Sequence, residues 1–215
     1  MIVDVRAGEP FYKNGFLVTC ERTREAVVID PGDEVAELIT LAGERRAIVR
    51  YILLTHAHLD HVTGVGPAKA AFGVPVYLHA DDQFLYDIVP QQGKMFGLPL
   101  QQPPPVDAHY DGSTFTFGDY EVRVHHTPGH CPGGVCLQIG NAGKPGGELF
   151  VGDTLFAGSI GRTDLPGGDY KILMRSITDV LFPLGDDSIV HPGHGPDTMI
   201  KRERMTNPFV LEFLA

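Results

Sequence analysis

Short runs of β-patterned residues alternate with amphipathic helical stretches along the first half of the chain. Phe16–Cys20 and Ala26–Ile29 are apolar runs that read as strands, the second stopping at the turn-forming Asp30-Pro31-Gly32. Glu34–Ala42 spaces Val35, Leu38, Ile39 and Leu41 as a helix does, with Asp33 placed to cap it. Ile48–Leu54 is a β-branched strand that delivers the chain into Thr55-His56. Val62–Phe72 predicts a helix closed by Gly73, Val76–Leu78 a buried strand, and Asp81 or Asp82 a cap for a helix through Val89. From 90 to 112 the pattern lapses. Gly93, Gly97 and Gln101-Gln102-Pro103-Pro104-Pro105 read as a loop with little secondary structure, either a surface connection or a lid over a site.

The second half is richer in β pattern. Thr114–Phe117 and Tyr120–His126 form an expected hairpin about Gly118-Asp119. Val135–Ile139 and Leu149–Val151 are two further strands joined by the glycine-rich Gly140–Gly147 connection. Tyr170–Leu181 follows helical spacing, and Ser188–Val190 is a last short strand. Two β-then-α halves without sustained βαβ alternation predict two sheets packed together with helices outside. With no internal repeat and no linker, residues 1–215 read as one domain.

Composition narrows the class. Hydrophobic residues at 43% and charged residues at 20% suit a globular chain. A net charge of −10 disfavours a nucleic-acid partner, because phosphate neutralisation needs a basic excess. Three cysteines make no disulfide framework. The start, Met-Ile-Val-Asp-Val-Arg, lacks the basic and apolar segments of an export signal, and no apolar run approaches the ~18 residues of a spanning helix. The expectation is a cytoplasmic protein, monomeric or dimeric, with neither membrane nor nucleic acid as partner.

Ten histidines change the picture, because they gather in short motifs. Thr55-His56-Ala57-His58-Leu59-Asp60-His61 follows a strand; on an extended segment His56, His58 and Asp60 face one side, and His61 reaches a second point. Thr127-Pro128-Gly129-His130, Gly152-Asp153 and Pro192-Gly193-His194-Gly195 each end another strand in a glycine-flanked His or Asp. Imidazole and carboxylate suit zinc, iron or manganese. Seven such ligands exceed one four-coordinate ion, so two ions are expected. His56, His58 and His130 would hold one and Asp60, His61 and His194 the other, with Asp153 and a hydroxide shared. Zinc is the leading candidate. His191 competes with His194, whose flanking glycines favour it; His79, His109, His125 and His126 receive no ligand role. Cys131 and Cys136 read as packing.

These motifs, in this order, resemble the metallo-β-lactamase-fold hydrolases across nearly the whole chain. The resemblance implies an α/β (α+β) fold, a four-layer αββα sandwich with metals at one sheet edge, and the same ligand division. The stretch Gly158–Asp169 and the ending Asn207-Pro208-Phe209 are similar to short, single-domain relatives of hydroxyacylglutathione hydrolase (glyoxalase II). That similarity implies hydrolysis of a small-molecule thioester, with a glutathione conjugate as substrate. It also implies a metal-bridging hydroxide as nucleophile, Asp60 acting on the water, and Arg162 on the glutathione glycine carboxylate. Asp164 stands where that family has an aromatic residue, and the family's helical C-terminal extension has no counterpart here. Two alternatives on the same fold are a mononuclear iron persulfide dioxygenase, using His56, His130 and Asp153, and a lactonase.

Overall fold

The computed structural model describes residues 1–141 and 146–215. Contacts divide the chain into two compact units, Met1–Asp111 with Thr116–Asp119, and Gly112–Phe115 with Tyr120–Ala215.

The first unit carries a six-stranded sheet in chain order: β1 (Ile2–Gly8), β2 (Lys13–Thr19), β3 (Glu25–Ile29), β4 (Ile48–Leu53), β5 (Val76–Leu78) and β6 (Ala108–His109). The first three strands form an antiparallel meander, and β3 to β6 run parallel. Every residue of β2 is buried, as expected of a strand covered on both faces. Parallel neighbours need crossovers. Helix α1 (Val35–Arg45) returns the chain from β3 to β4 and buries Val35, Leu38, Leu41 and Ala42. Helices α2 (Leu59–Val62) and α3 (Val65–Phe72) lie between β4 and β5, followed by α4 (Gln83–Asp87) and α5 (Val89–Met95). The candidate ligand motif thus leaves the carboxyl end of a parallel strand, where open α/β sheets commonly place their sites.

The second sheet comprises β7 (Phe115–Phe117), β8 (Tyr120–His126), β9 (Val135–Asn141), β10 (Glu148–Gly152), β13 (Ile189–Pro192) and β14 (Thr198–Met199), ordered β14-β13-β10-β9-β8-β7. It is mixed: β8–β9, β9–β10 and β13–β14 are antiparallel pairs, and β10–β13 is parallel. A small hairpin, β11 (Leu155–Phe156) with β12 (Ser159–Ile160), stands apart from it. The second unit's helices are α6 (Tyr170–Arg175), continued to Leu181 by a wider turn, α7 (Ile200–Thr206) and α8 (Pro208–Leu214). Leu173, Met174, Ile177 and Leu181 pack with Leu149, Val151, Val190, Ile200 and Val210 in this unit's core. Among the described residues no helix is long and apolar enough to cross a membrane.

The structure departs from the sequence expectations at identifiable places. β1 alternates Val3, Val5 and Ala7 with Asp4 and Arg6, a period-two signal in a segment weighed only as an export signal. Asp33 does not cap α1. Glu34 holds that position, and Asp33 Oδ1 instead accepts a hydrogen bond from Thr63 Oγ1 at 3.0 Å. The 90–112 stretch is not without structure, because Pro90 opens α5 at a position where its missing N–H costs nothing, and Ala108–His109 pairs with β5. β14, α7 and α8 complete the fold beyond the last expected strand. Residues 142–145 of the expected Gly140–Gly147 connection lie outside the described residues.

On β13, buried His191 approaches Glu148 Oε2 with Nε2 at 2.7 Å and Asp197 Oδ1 with Nδ1 at 3.0 Å. Burial alone would lower its pKa; Glu148 and Asp197 together outweigh burial and raise it above 6.5. A folded pKa above the unfolded one contributes stability that is complete below the unfolded pKa and is lost as pH rises through the folded pKa. We therefore expect the melting-temperature deficit of His191→Gln to be larger at about pH 6 than at about pH 9. An equal deficit at both would show that the charged pairings contribute nothing.

Candidate metal centre

In the first unit β4 ends at Leu53, and residues 54–58 run irregularly to His58, whose extended backbone (φ −69°, ψ 149°) opens α2. Asp60 and His61 therefore lie on a helical turn rather than on an extended segment. Burial of Leu59 and Val62 drives that turn, since both are apolar and spaced to face one way. His56, His58 and His61 are buried, and the Asp60 carboxylate is nearly so. The His56 ring centroid lies 4.9 Å from that of His58 and 4.0 Å from that of His61. His61 Nε2 is 3.8 Å from Asp60 Oδ2. The structure thus gathers all four candidate ligands of this unit.

Three buried polar side chains hold this segment. Alternate backbone N–H groups each donate to one of them: Thr55 to Asp30 Oδ1 at 2.6 Å, Ala57 to Asp82 Oδ2 at 3.0 Å, and Leu59 to Gln92 Oε1 at 3.0 Å. Gln92 also donates to the carbonyls of Ala57 and Leu85. Asp30 does more. Its Oδ2 accepts from Thr55 Oγ1 at 2.5 Å and from His61 Nδ1 at 2.9 Å, and Thr55 Oγ1 lies 3.1 Å from His56 Nδ1. A carboxylate only accepts, so His61 carries its proton on Nδ1 and presents the Nε2 lone pair. His56 is oriented likewise through the Thr55 hydroxyl. Such partners fix the tautomer and ring angle of metal-ligating histidines.

The second unit holds its three candidates differently. Gly129 precedes His130 at φ 124°, and a Cβ there would fall 2.2 Å from the Leu173 backbone nitrogen, so only glycine fits. Gly193 N–H donates to the Gly152 carbonyl at 2.8 Å, which ties the His194 loop to the Asp153 loop. Asp153 Oδ2 lies 3.7 Å from His130 Nε2 and 3.6 Å from His194 Nε2. These separations are too long for hydrogen bonds. Two ligand atoms each ~2.1 Å from one ion at a tetrahedral angle sit roughly 3.4 Å apart, so the spacing suits shared coordination. His130 Nδ1 donates to the Arg162 carbonyl at 2.8 Å, directing Nε2 toward Asp153. Gly161 allows that approach, because a Cβ on it would fall 1.8 Å from the Asp153 carbonyl oxygen.

This donor chemistry fits borderline divalent ions: buried imidazoles with committed Nδ1 atoms, and a carboxylate oxygen equidistant from two Nε2 atoms. Other histidines have other partners. His191 is held by Glu148 and Asp197, His125 by Gln138, His126 by the Pro132 carbonyl and His109 by Gln83. Cys131 and Cys136 are buried thiols, and burial pushes that of Cys136 up. The exposed Arg162 guanidinium forks onto Asp164 with two 2.7 Å bonds, chiefly through which the Asp164 pKa falls to about 2. Sequence reasoning missed Asp30, Asp82, Gln92 and the Arg162 carbonyl. The only signal for Asp30 was its place at a strand end, where it read as a turn residue.

Asp30→Ala would remove the acceptor of three buried donors; the Thr55 hydroxyl can turn toward His56 Nδ1, whereas Thr55 N–H and His61 Nδ1–H would be stranded, each costing about 1–3 kcal/mol. Denaturant unfolding of the metal-free protein should show a loss of roughly 2–6 kcal/mol, and metal affinity of the folded variant should fall about 10–100-fold. A variant with unchanged affinity would remove Asp30 from any role in orienting these imidazoles.

Comparison with known proteins gives concordant results. The family model described as "Metallo-beta-lactamase superfamily" matches residues 8–199. The chain is 39% identical over 195 residues to the hydroxyacylglutathione hydrolase GloC of Haemophilus influenzae, covering 87% of this chain and 88% of that one. A solved structure of TTHA1623 in a di-iron-bound form superposes with a TM-score of 0.83 at 41% identity, covering 96% of this chain and all of that one. BLEG-1, described as a B3 metallo-beta-lactamase, superposes with a TM-score of 0.88 at 35% identity, covering 97% and 99%.

Proposed function

The chain belongs to the metallo-beta-lactamase superfamily, and from that premise we propose that it is a metal-dependent hydrolase of thioesters, with glutathione thioesters as its substrate class. The observation that carries the metal requirement is the Asp153 oxygen standing 3.6 and 3.7 Å from two histidine Nε2 atoms. The 39% identity to GloC supports the substrate class. In this reading His56, His58 and His130 would hold one divalent ion, and Asp60, His61 and His194 a second. Asp153 would contribute to holding both, with zinc or iron as the candidate metals.

Divalent ions held there would lower the pKa of a bound water toward neutrality and polarise a carbonyl oxygen. Asp60 orients the attacking water and accepts its proton. The Nδ1 partners of His56, His61 and His130 keep those rings in one orientation throughout turnover. A thiolate departs without a strong general acid, since free thiols have pKa ~8.5.

Arg162 presents a planar fork that matches a carboxylate, as its bidentate grip on Asp164 illustrates. An exposed pair of this kind contributes little to stability, so a substrate carboxylate can replace that of Asp164 at small cost. The fork supports recognition of the carboxylates that glutathione carries.

Metal quantification beside parallel assays tests the reading. S-lactoylglutathione should be hydrolysed by protein holding two ions, and His58→Ala or Asp60→Ala should lose metal and activity together. Turnover by a metal-free variant would refute the mechanism. Oxygen uptake with glutathione persulfide by protein holding one iron would reassign the reaction, and preferential turnover of lactones or β-lactams would reassign the substrate. Arg162→Ala should raise KM for the glutathione thioester roughly tenfold with kcat little changed, and leave an uncharged thioester unaffected. Equal effects on both thioesters would remove Arg162 from carboxylate recognition.

A further inference from the structure

The first unit buries an ion pair that the chemistry above does not use. Lys13 and Glu34 are 1% and 3% exposed, and Lys13 Nζ lies 2.7 Å from Glu34 Oε1. Both close on the turn formed by residues 30–33. Lys13 Nζ donates to the Asp30 carbonyl, and Gly32 N–H donates to Glu34 Oε1 at 2.9 Å.

Each residue of that turn meets the segment 60–64. Asp30 Oδ2 accepts from His61 Nδ1, and the Pro31 carbonyl accepts from Gly64 N–H at 3.0 Å. Gly32 lies so close that a Cβ on it would fall 2.1 Å from the Asp60 carbonyl oxygen. Asp33 accepts from Thr63. Asp30 itself stands at φ 48°, a conformation that a non-glycine residue keeps only where its surroundings hold it.

Stability alone does not account for the pair. Buried ions can commonly be replaced by packed apolar residues without loss, and Glu34 Oε2 is buried with no hydrogen bond among the described residues. What an apolar pair cannot do is hold the Asp30 carbonyl and the Gly32 N–H at once. We propose that Lys13 and Glu34 are positioning residues that lock the 30–33 turn against α2 and thereby set metal affinity at Asp60 and His61. The inference rests on the metal reading of the site given above.

The experiment compares wild type with the double variant Lys13→Met/Glu34→Leu. Three quantities are measured: the melting temperature of metal-free protein, zinc affinity by competition with a chromophoric chelator, and the visible spectrum of cobalt(II)-loaded protein. The metal-free protein should still unfold cooperatively, with its melting temperature lowered by the stranded Gly32 N–H and Asp30 carbonyl, while zinc affinity drops about 10–100-fold and the cobalt spectrum shifts. Unchanged affinity and spectrum would overturn the proposal, as would a collapse of metal-free stability that explains the lost affinity by itself. Gly32→Ala decides the matter where the double variant does not fold. It keeps both charges but drives a methyl into the Asp60 carbonyl and against the Lys13 stem, so it should weaken zinc binding similarly, and a folded Gly32→Ala with wild-type affinity would overturn the proposal. A wild type that takes up no zinc would overturn the reading of the site itself, and this inference with it.

Discussion

One buried carboxylate holds the candidate ligand segment of the first unit. Asp30 ends β3, and its two oxygens accept from the Thr55 backbone, the Thr55 hydroxyl and the His61 ring, all beyond β4. A carboxylate out of water is costly unless its lone pairs are filled, and here three donors fill them. The same bonds that compensate its burial fix the rotation of two imidazoles. Stability and ligand geometry are therefore one constraint, and neither can change without the other.

The second unit reaches a comparable end by backbone means. His130 is oriented by a carbonyl rather than a carboxylate, Gly129 and Gly161 permit approaches that a methyl group would block, and a single N–H joins the Asp153 and His194 loops. In the first unit the sensitive positions are chiefly buried polar side chains, Asp30, Asp82 and Gln92, which a change of charge or hydrogen bonding disturbs. In the second they are glycines, which a change of volume disturbs.

This contrast explains what could be read from the sequence. The candidate ligands were legible because their spacing and glycine flanks are local properties; the strands leading into them were legible from apolar runs such as Ile48–Leu53 and Leu149–Val151. The partners of those ligands were not. Asp30 and Asp82 read as turn and cap residues, and Gln92 fell in a stretch without pattern, because a polar side chain's burial depends on contacts tens of residues away. The helical turn at Leu59–Val62 was missed for a similar reason. Four residues are too few to show a period, and the turn is stabilised by burial of Leu59 and Val62, by Gln92 and by the 30–33 segment rather than by its own propensity.

Orientation is not the only thing these partners confer. A carboxylate acceptor makes an imidazole more electron-donating at its far nitrogen than a neutral acceptor does, because negative charge beside Nδ1–H favours the more polarised ring. His61 has such a carboxylate directly, His56 has one relayed through a hydroxyl, and His130 has only an amide carbonyl. The three rings thus differ in the partner that each Nδ1–H meets while remaining chemically the same residue. The difference originates in Asp30, Thr55 and the Arg162 carbonyl, none of which the sequence marked as a candidate ligand.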